Sequence, residues 1–219
     1  MKNQLTLALF ALLVLSSCDF KKEESKTETK EEVESTAVTT ATLLNANLAS
    51  EASLLEAGLS QEVVTQIINE RPFLAIESFV EVLGASADLD AVFAKVFVPL
   101  NINETAEDTF KLIPGVGDRM AHEFEEYKPY VNLNQFRKEI GKYVDEQEVA
   151  RLEQYIFVPI ELNTAQEDDI KNLPGVGSKM THEFLEYRPY ENMAQFNKEI
   201  GKYVDEAELS RLARLVYLQ

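Results

Sequence analysis

The chain has 219 residues, 45% of them hydrophobic, which is enough to bury a core in one or two domains. A net charge of −17 argues against unaided attraction to nucleic acid or to an anionic membrane surface. A single cysteine, Cys18, excludes an intramolecular disulfide, and two histidines with no tryptophan leave little material for a metal centre or a histidine-driven active site.

In chain order, Lys2 supplies a positive start, and residues 5–15 form an apolar run interrupted only by Thr6. That run is too short to cross a hydrocarbon core of about 30 Å as a helix and has the length of a signal-peptide h-region. It ends in Leu15-Ser16-Ser17-Cys18, which resembles the lipobox of bacterial lipoproteins. The resemblance implies removal of residues 1–17 as a signal peptide, lipid on Cys18 and attachment to the bacterial cell envelope. Two or more acyl chains would anchor stably, since each buried CH₂ contributes ~0.8 kcal/mol. Residues 18–41 are dominated by Lys, Glu, Thr and Ser, with Phe20, Val33 and Val38 as isolated apolar side chains. Too little surface can be buried there to offset ordering entropy, so the stretch is expected to be a disordered acidic tether with a reach of roughly 25–30 Å.

The rest of the chain repeats itself. Sliding it by sixty residues aligns 99–158 with 159–218 at 32 identities, among them Pro114-Gly115-Val116-Gly117 with Pro174-Gly175-Val176-Gly177. A more distant copy occupies 42–98: Arg71-Pro72-Phe73 precedes Lys128-Pro129-Tyr130 by fifty-seven residues, and Phe79 and Gly84 precede Phe136 and Gly141 by the same offset.

Within 99–158 the apolar spacing is helical. A first helix is expected over 104–113, stopped by Pro114 and two glycines. A second covers 118–127, with Met120, Phe124 and Tyr127 on one buried face, and Lys128-Pro129 ends it. A third spans 133–140 up to Gly141. A fourth is opened by Asp145 and Glu148 as a capping box and runs along Val149, Leu152 and Ile156. No stretch alternates as a strand would, so the expected class is all-α, in short helices.

Helix, Leu/Ile-Pro-Gly-Val-Gly, helix resembles the helix-hairpin-helix motif (SAM/HhH-like), and the surrounding unit is similar to the domain of the ComEA family of competence DNA receptors. The resemblance extends through Leu162-Asn163-Thr164-Ala165, Glu186-Tyr187-Arg188 and a Phe-led third helix, and covers 99–219 more fully than 42–98. It implies tandem helix-hairpin-helix repeats at 42–98, 99–158 and 159–219. The first is degenerate, because Ala57-Gly58-Leu59-Ser60 has one glycine and no following base. It also implies that the backbone amides of Gly115, Val116 and Gly117, with Arg119, and of Gly175, Val176 and Gly177, with Lys179, face a phosphate. At the second-hairpin positions, Ile140-Gly141-Lys142 and Ile200-Gly201-Lys202, Glu139 and Glu199 replace a usual glycine.

The charges depart from that family. Seven Lys and Arg face twelve Asp and Glu in 99–158, seven face eleven in 159–219, and two face eight in 42–98. DNA affinity comes mostly from neutralising phosphates, so these surpluses oppose it. Two readings stay open: a non-catalytic, membrane-anchored module whose three-unit rod binds another envelope protein, and a weak, sequence-independent DNA binder. A basic stripe of Arg119, Lys142, Lys179 and Lys202 would favour DNA, and interrupting carboxylates would not. His122 and His182 are expected to pair with Glu126 and Glu186 one turn on, Tyr143 and Tyr203 to pack the turn after Gly-Lys. No catalytic group, metal or cofactor is expected.

Overall fold

A computed structural model describes residues 42–219. The expected signal peptide, lipid-bearing Cys18 and tether fall outside the described residues. Those described are mostly helical, with twelve α-helices of at most ten residues and six strands of two residues each. Residues 42–98 run β1 (Leu44–Asn45), α1 (Glu51–Glu56), α2 (Gln61–Glu70), α3 (Ile76–Leu83), α4 (Leu89–Phe93) and β2 (Val96–Phe97). Residues 99–158 follow the same order: β3 (Leu100–Asn101), α5 (Glu107–Phe110), α6 (Asp118–Glu126), α7 (Leu133–Ile140), α8 (Glu146–Leu152), a 3₁₀ turn at Glu153–Tyr155 and β4 (Ile156–Phe157). So do residues 159–219: β5 (Ile160–Glu161), α9 (Glu167–Lys171), α10 (Ser178–Glu186), α11 (Met193–Ile200), α12 (Glu206–Ala213) and β6 (Val216–Tyr217).

The strands correct the expectation of helices alone. The first strand of each stretch pairs in parallel with its last, so each stretch is closed by its own ends. Ala46 donates to the Phe97 carbonyl at 2.8 Å, Ile102 to Phe157 at 3.1 Å and Leu162 to Tyr217 at 2.9 Å. Two residues are too few to display a period of two, which is why the apolar pattern carried no strand signal.

Just after each first strand, an asparagine side chain takes the part of a backbone. The Asn47 side-chain NH₂ donates to the Phe73 carbonyl at 2.9 Å, and its oxygen accepts the Phe73 N–H at 2.7 Å. Asn103 does the same to Tyr130 at 2.8 and 2.7 Å, and Asn163 to Tyr190 at 2.9 and 2.7 Å. A carboxamide carries a donor and an acceptor side by side, as an extended peptide edge does. Two residues before the clamped one, a cation reaches the same loop. Arg71 donates to the carbonyls of Ala46 and Ala49, Lys128 to that of Thr105, and Arg188 to that of Ala165. The loop ahead of the first helix is thus fastened to the link between the second and third.

Helix ends follow local chemistry. Asn132 caps α7 and Asp145 caps α8, each side-chain oxygen accepting an amide three residues on. The capping box at α8 is only half formed, because Glu148 turns its carboxylate to Arg151 instead. Helix α5 is shorter than expected. The amides of Glu104 and Thr105 fold back on the Asn101 carbonyl, and Leu112 and Ile113 tighten into three-residue turns before Pro114.

One apolar core runs from Ala46 to Val158 and a second from Phe157 to Val216. The edge-on contact of Phe97 with Tyr155, 5.0 Å between ring centres, joins the first two stretches inside one core. The third is attached by Arg214, which donates to the Pro99 carbonyl and lies 5.0 Å above the Phe157 ring. Leu48 of the first stretch also reaches Gly175 of the third, a methyl lying 2.5 Å from where a β-carbon would stand. The first stretch thus touches the third as well as the second.

Asn103→Ala should leave the Tyr130 N–H and C=O without their partner, at about 1–3 kcal/mol each. A fall in midpoint of several degrees in a thermal melt is the expected result, and an unchanged melt would show that the clamp adds nothing.

Candidate functional site

Between α5 and α6, Ile113-Pro114-Gly115-Val116-Gly117 forms a hairpin. Gly115 has φ +83°, a left-handed conformation open to glycine without steric cost. The Val116 side chain is buried, and its amide donates to the Ile113 carbonyl at 2.9 Å. Between α9 and α10 the arrangement recurs, with φ +72° at Gly175 and the Val176 amide on Leu173 at 3.1 Å. The Val116 and Val176 amides each hold a carbonyl three residues back, Ile113 and Leu173, just beyond the ends of α5 and α9. Gly115, Gly117, Gly175 and Gly177 are exposed. Gly117 and Gly177 stand at the N-caps of α6 and α10 with no side chain capping either helix. The matching turn of the first stretch also has a left-handed glycine, Gly58 at φ +96°, but Ser60 caps α2 by accepting the Val63 amide. There the helix terminus is satisfied from within.

The cations near the hairpins are mostly neutralised. Lys111 bridges Asp108 at 2.8 Å and Asp118 at 2.5 Å, and these hydrogen bonds hold its ammonium well above the ordinary lysine range. Lys142 is paired with Glu139, and Lys202 with Glu199. Carboxylates thus interrupt the stripe that would have favoured DNA. Arg119 and Lys179 are exposed and enter no ion pair among the described residues.

The cations closest to the hairpin glycines were not legible in the sequence. Arg151 of α8 stands beside Gly115, and Arg211 of α12 beside Gly175, where it also donates to the Pro174 carbonyl at 2.6 Å. Both are gripped by a carboxylate of their own helix: Glu148 holds Arg151 through two bonds of 2.7 Å, and Glu208 holds the buried Arg211 at 2.7 and 2.6 Å. The three-residue spacing of Glu and Arg announces a helical pair. Its position against a turn 36 residues earlier announces nothing.

A second cluster joins the end of the second helix to the turn after the third in each later stretch. The hydroxyls of Tyr127 and Tyr143 meet at 2.7 Å, as do those of Tyr187 and Tyr203. Hydrogen bonding to Tyr127, then to Glu123, raises the Tyr143 hydroxyl above its usual range, and Tyr187 with Glu183 does the same for Tyr203. Lys142 lies 4.7 Å over the Tyr127 ring, and Lys202 lies 5.1 Å over that of Tyr187. These tyrosines pack the turn, as expected of them. The histidines divide. His182 pairs with Glu186 at 3.4 Å, whereas His122 faces Glu107 of the preceding helix at 3.6 Å and not Glu126. Among the described residues, no three His, Cys, Asp or Glu side chains are grouped to hold a metal ion.

Compared with protein-family models, with curated proteins and with solved structures, the chain finds no match.

The two hairpins should differ in tolerance. Alanine at either glycine must adopt a left-handed φ, at about 1–3 kcal/mol. Gly175→Ala would in addition drive its methyl into Leu48, whereas Gly115→Ala meets only the end of the Arg151 side chain at 3.4 Å. Urea titration should find Gly175→Ala the less stable of the two; equal losses would mean that Leu48 yields freely.

Proposed function

We propose that residues 42–219 are three tandem helix-hairpin-helix repeats, the first degenerate, forming a non-catalytic binding module that lipid on Cys18 holds at the bacterial envelope. Its partner is a protein. The observation that carries this reading is the pairing of Lys111, Lys142, Lys202, Arg151 and Arg211 with carboxylates of their own stretch. A phosphate arriving at either hairpin would have to displace those carboxylates, and each stretch bears a net negative charge around it. The hairpins then serve as turns on which neighbouring elements pack, as Leu48 packs on Gly175. The resemblance of the glycine hairpin to ComEA-like domains supports the fold assignment rather than the ligand.

One observation favours the second reading, DNA. Helices α6 and α10 begin without a side-chain cap, and unpaired Arg119 and Lys179 stand two residues into the turn's exit. Binding through these groups would be indifferent to base sequence and would fall with salt, with a slope of about −0.9 per phosphate contacted.

Two experiments test the proposal. Metabolic labelling with a clickable fatty acid should mark the wild-type chain, and Cys18→Ala should lose both label and membrane fraction; a variant still labelled would remove the anchor. Crosslinking in native envelopes should capture a protein, while a duplex-DNA titration near physiological salt should show no binding. Micromolar DNA binding that Arg119→Glu with Lys179→Glu abolishes would replace the protein reading with the second.

A further inference from the structure

All eight tyrosines of the chain lie in 99–219, and four of them form two pairs sixty residues apart. Tyr130, Tyr155 and Tyr190 are buried, and exposed Tyr217 meets no second tyrosine among the described residues. The other four stand hydroxyl to hydroxyl, Tyr127 with Tyr143 and Tyr187 with Tyr203, each contact at 2.7 Å. The ring centres are 6.4 Å apart in both pairs and the planes are tilted by 48° and 49°, so the rings meet at their phenolic ends. The ortho carbons of a phenol flank its hydroxyl carbon, so the contact brings an ortho edge of each ring toward the other. Tyr203 is exposed and the other three are half-buried, within reach of a solute.

A proton acceptor stands beside each pair. Glu183 is 7% exposed, and its Oε2 has no hydrogen-bond partner among the described residues. Glu123, at the matching position, likewise has a buried oxygen without a partner. Tyr187 and Glu183 both bear on the Tyr203 hydroxyl, as Tyr127 and Glu123 do on that of Tyr143, and raise it above its usual range. A buried carboxylate oxygen without a donor is costly, and a proton relieves it. Lys142 over the Tyr127 ring and Lys202 over the Tyr187 ring disfavour positive charge there. An electron therefore leaves such a ring most readily when the phenolic proton leaves with it.

We infer that each pair is a site of oxidative coupling, closed by a carbon–carbon bond between ortho positions when a peroxide-driven one-electron oxidant reaches it. Each phenol gives an electron to the oxidant, and its proton passes along the hydroxyls to Glu123 or Glu183 and on to water. The two tyrosyl radicals combine at their ortho carbons, and the hydrogens on those carbons move to the oxygens, restoring both phenols. Two electrons and two protons leave per pair, and one hydrogen peroxide takes up both to become two waters. The new bond ties the end of α6 to the turn after α7, and the end of α10 to the turn after α11. It does not depend on which ligand the hairpins take.

The test adds hydrogen peroxide and a haem peroxidase to the dilute full-length chain and follows dityrosine fluorescence and tryptic peptides by mass spectrometry. Peptide 120–137 joined to 143–151, and 180–198 joined to 203–211, are expected, each lighter than its two parts by two hydrogens. Glu183→Gln should lower the second joined species at least about tenfold and leave the first unchanged, and Glu123→Gln should do the reverse. The pair left intact in each variant is the control within the same chain. Tyr143→Phe with Tyr203→Phe should remove both joined species and the fluorescence. Coupling that is absent, runs mainly between chains or spreads over Tyr130, Tyr155, Tyr190 and Tyr217 would overturn the inference. So would joined species that neither glutamine variant lowers.

Discussion

A carboxamide clamped across a peptide unit holds each stretch of this chain together. Asn47, Asn103 and Asn163 each satisfy both the N–H and the C=O of one residue in the link between the second and third helices. That link carries a proline and belongs to no helix or strand, so its polar groups would otherwise be unpaired beside the core. With them satisfied, Phe73, Tyr130 and Tyr190 can be buried, and on these rings pack Phe79, Phe136 and Phe196 respectively. Helices of four to ten residues are unstable in isolation. Here they persist because the clamp and the parallel end-pairing fix where their short apolar faces meet.

The same economy governs charge. A chain with so many more carboxylates than cations could have left its lysines and arginines free for a polyanion. Instead Glu139, Glu148, Glu199 and Glu208 each take a cation three residues away, and Arg71, Arg188 and Arg214 are turned onto backbone carbonyls. Burial pulls the guanidinium groups of all three below the ordinary arginine range, and the nearby carboxylates, Glu161 for Arg188 and Glu104 for Arg214, offset only part of that cost. Most of the positive charge is thus used in holding the fold.

Much of the helical layout was legible. The span 133–140 was read from its apolar spacing and its glycine end and is found as α7, because both signals act within a turn or two of the chain. The start of α5 was misread by three residues, since Glu104 looks like a favourable first-turn acid until its amide is seen folded onto Asn101. The strands escaped notice because pairing between residues more than fifty positions apart leaves no trace in two-residue segments. At the hairpins, the glycines and their left-handed turn could be anticipated from composition, but the inward turn of the Val116 amide and the neighbouring Arg151 could not. Both depend on which side chain the core buries, and a long-range contact decides that. His122 and His182 make the point in miniature: identical local spacing to a glutamate, different partners, for Glu107 faces His122 whereas its counterpart Glu167 is held by Lys171.

The parallel closure of each stretch also has a mechanical side. The first strand is entered from its amino end and the last is left from its carboxyl end, and the two run the same way. Tension between an anchor upstream and a load downstream would draw these strands past each other along their length. The hydrogen bonds of a closure would then be loaded together in shear, where an antiparallel hairpin pulled at its open end would lose them one after another. Three such closures lie in series along the chain, each no larger than a pair of dipeptides, and each must slip as a unit before the helices behind it can be drawn out.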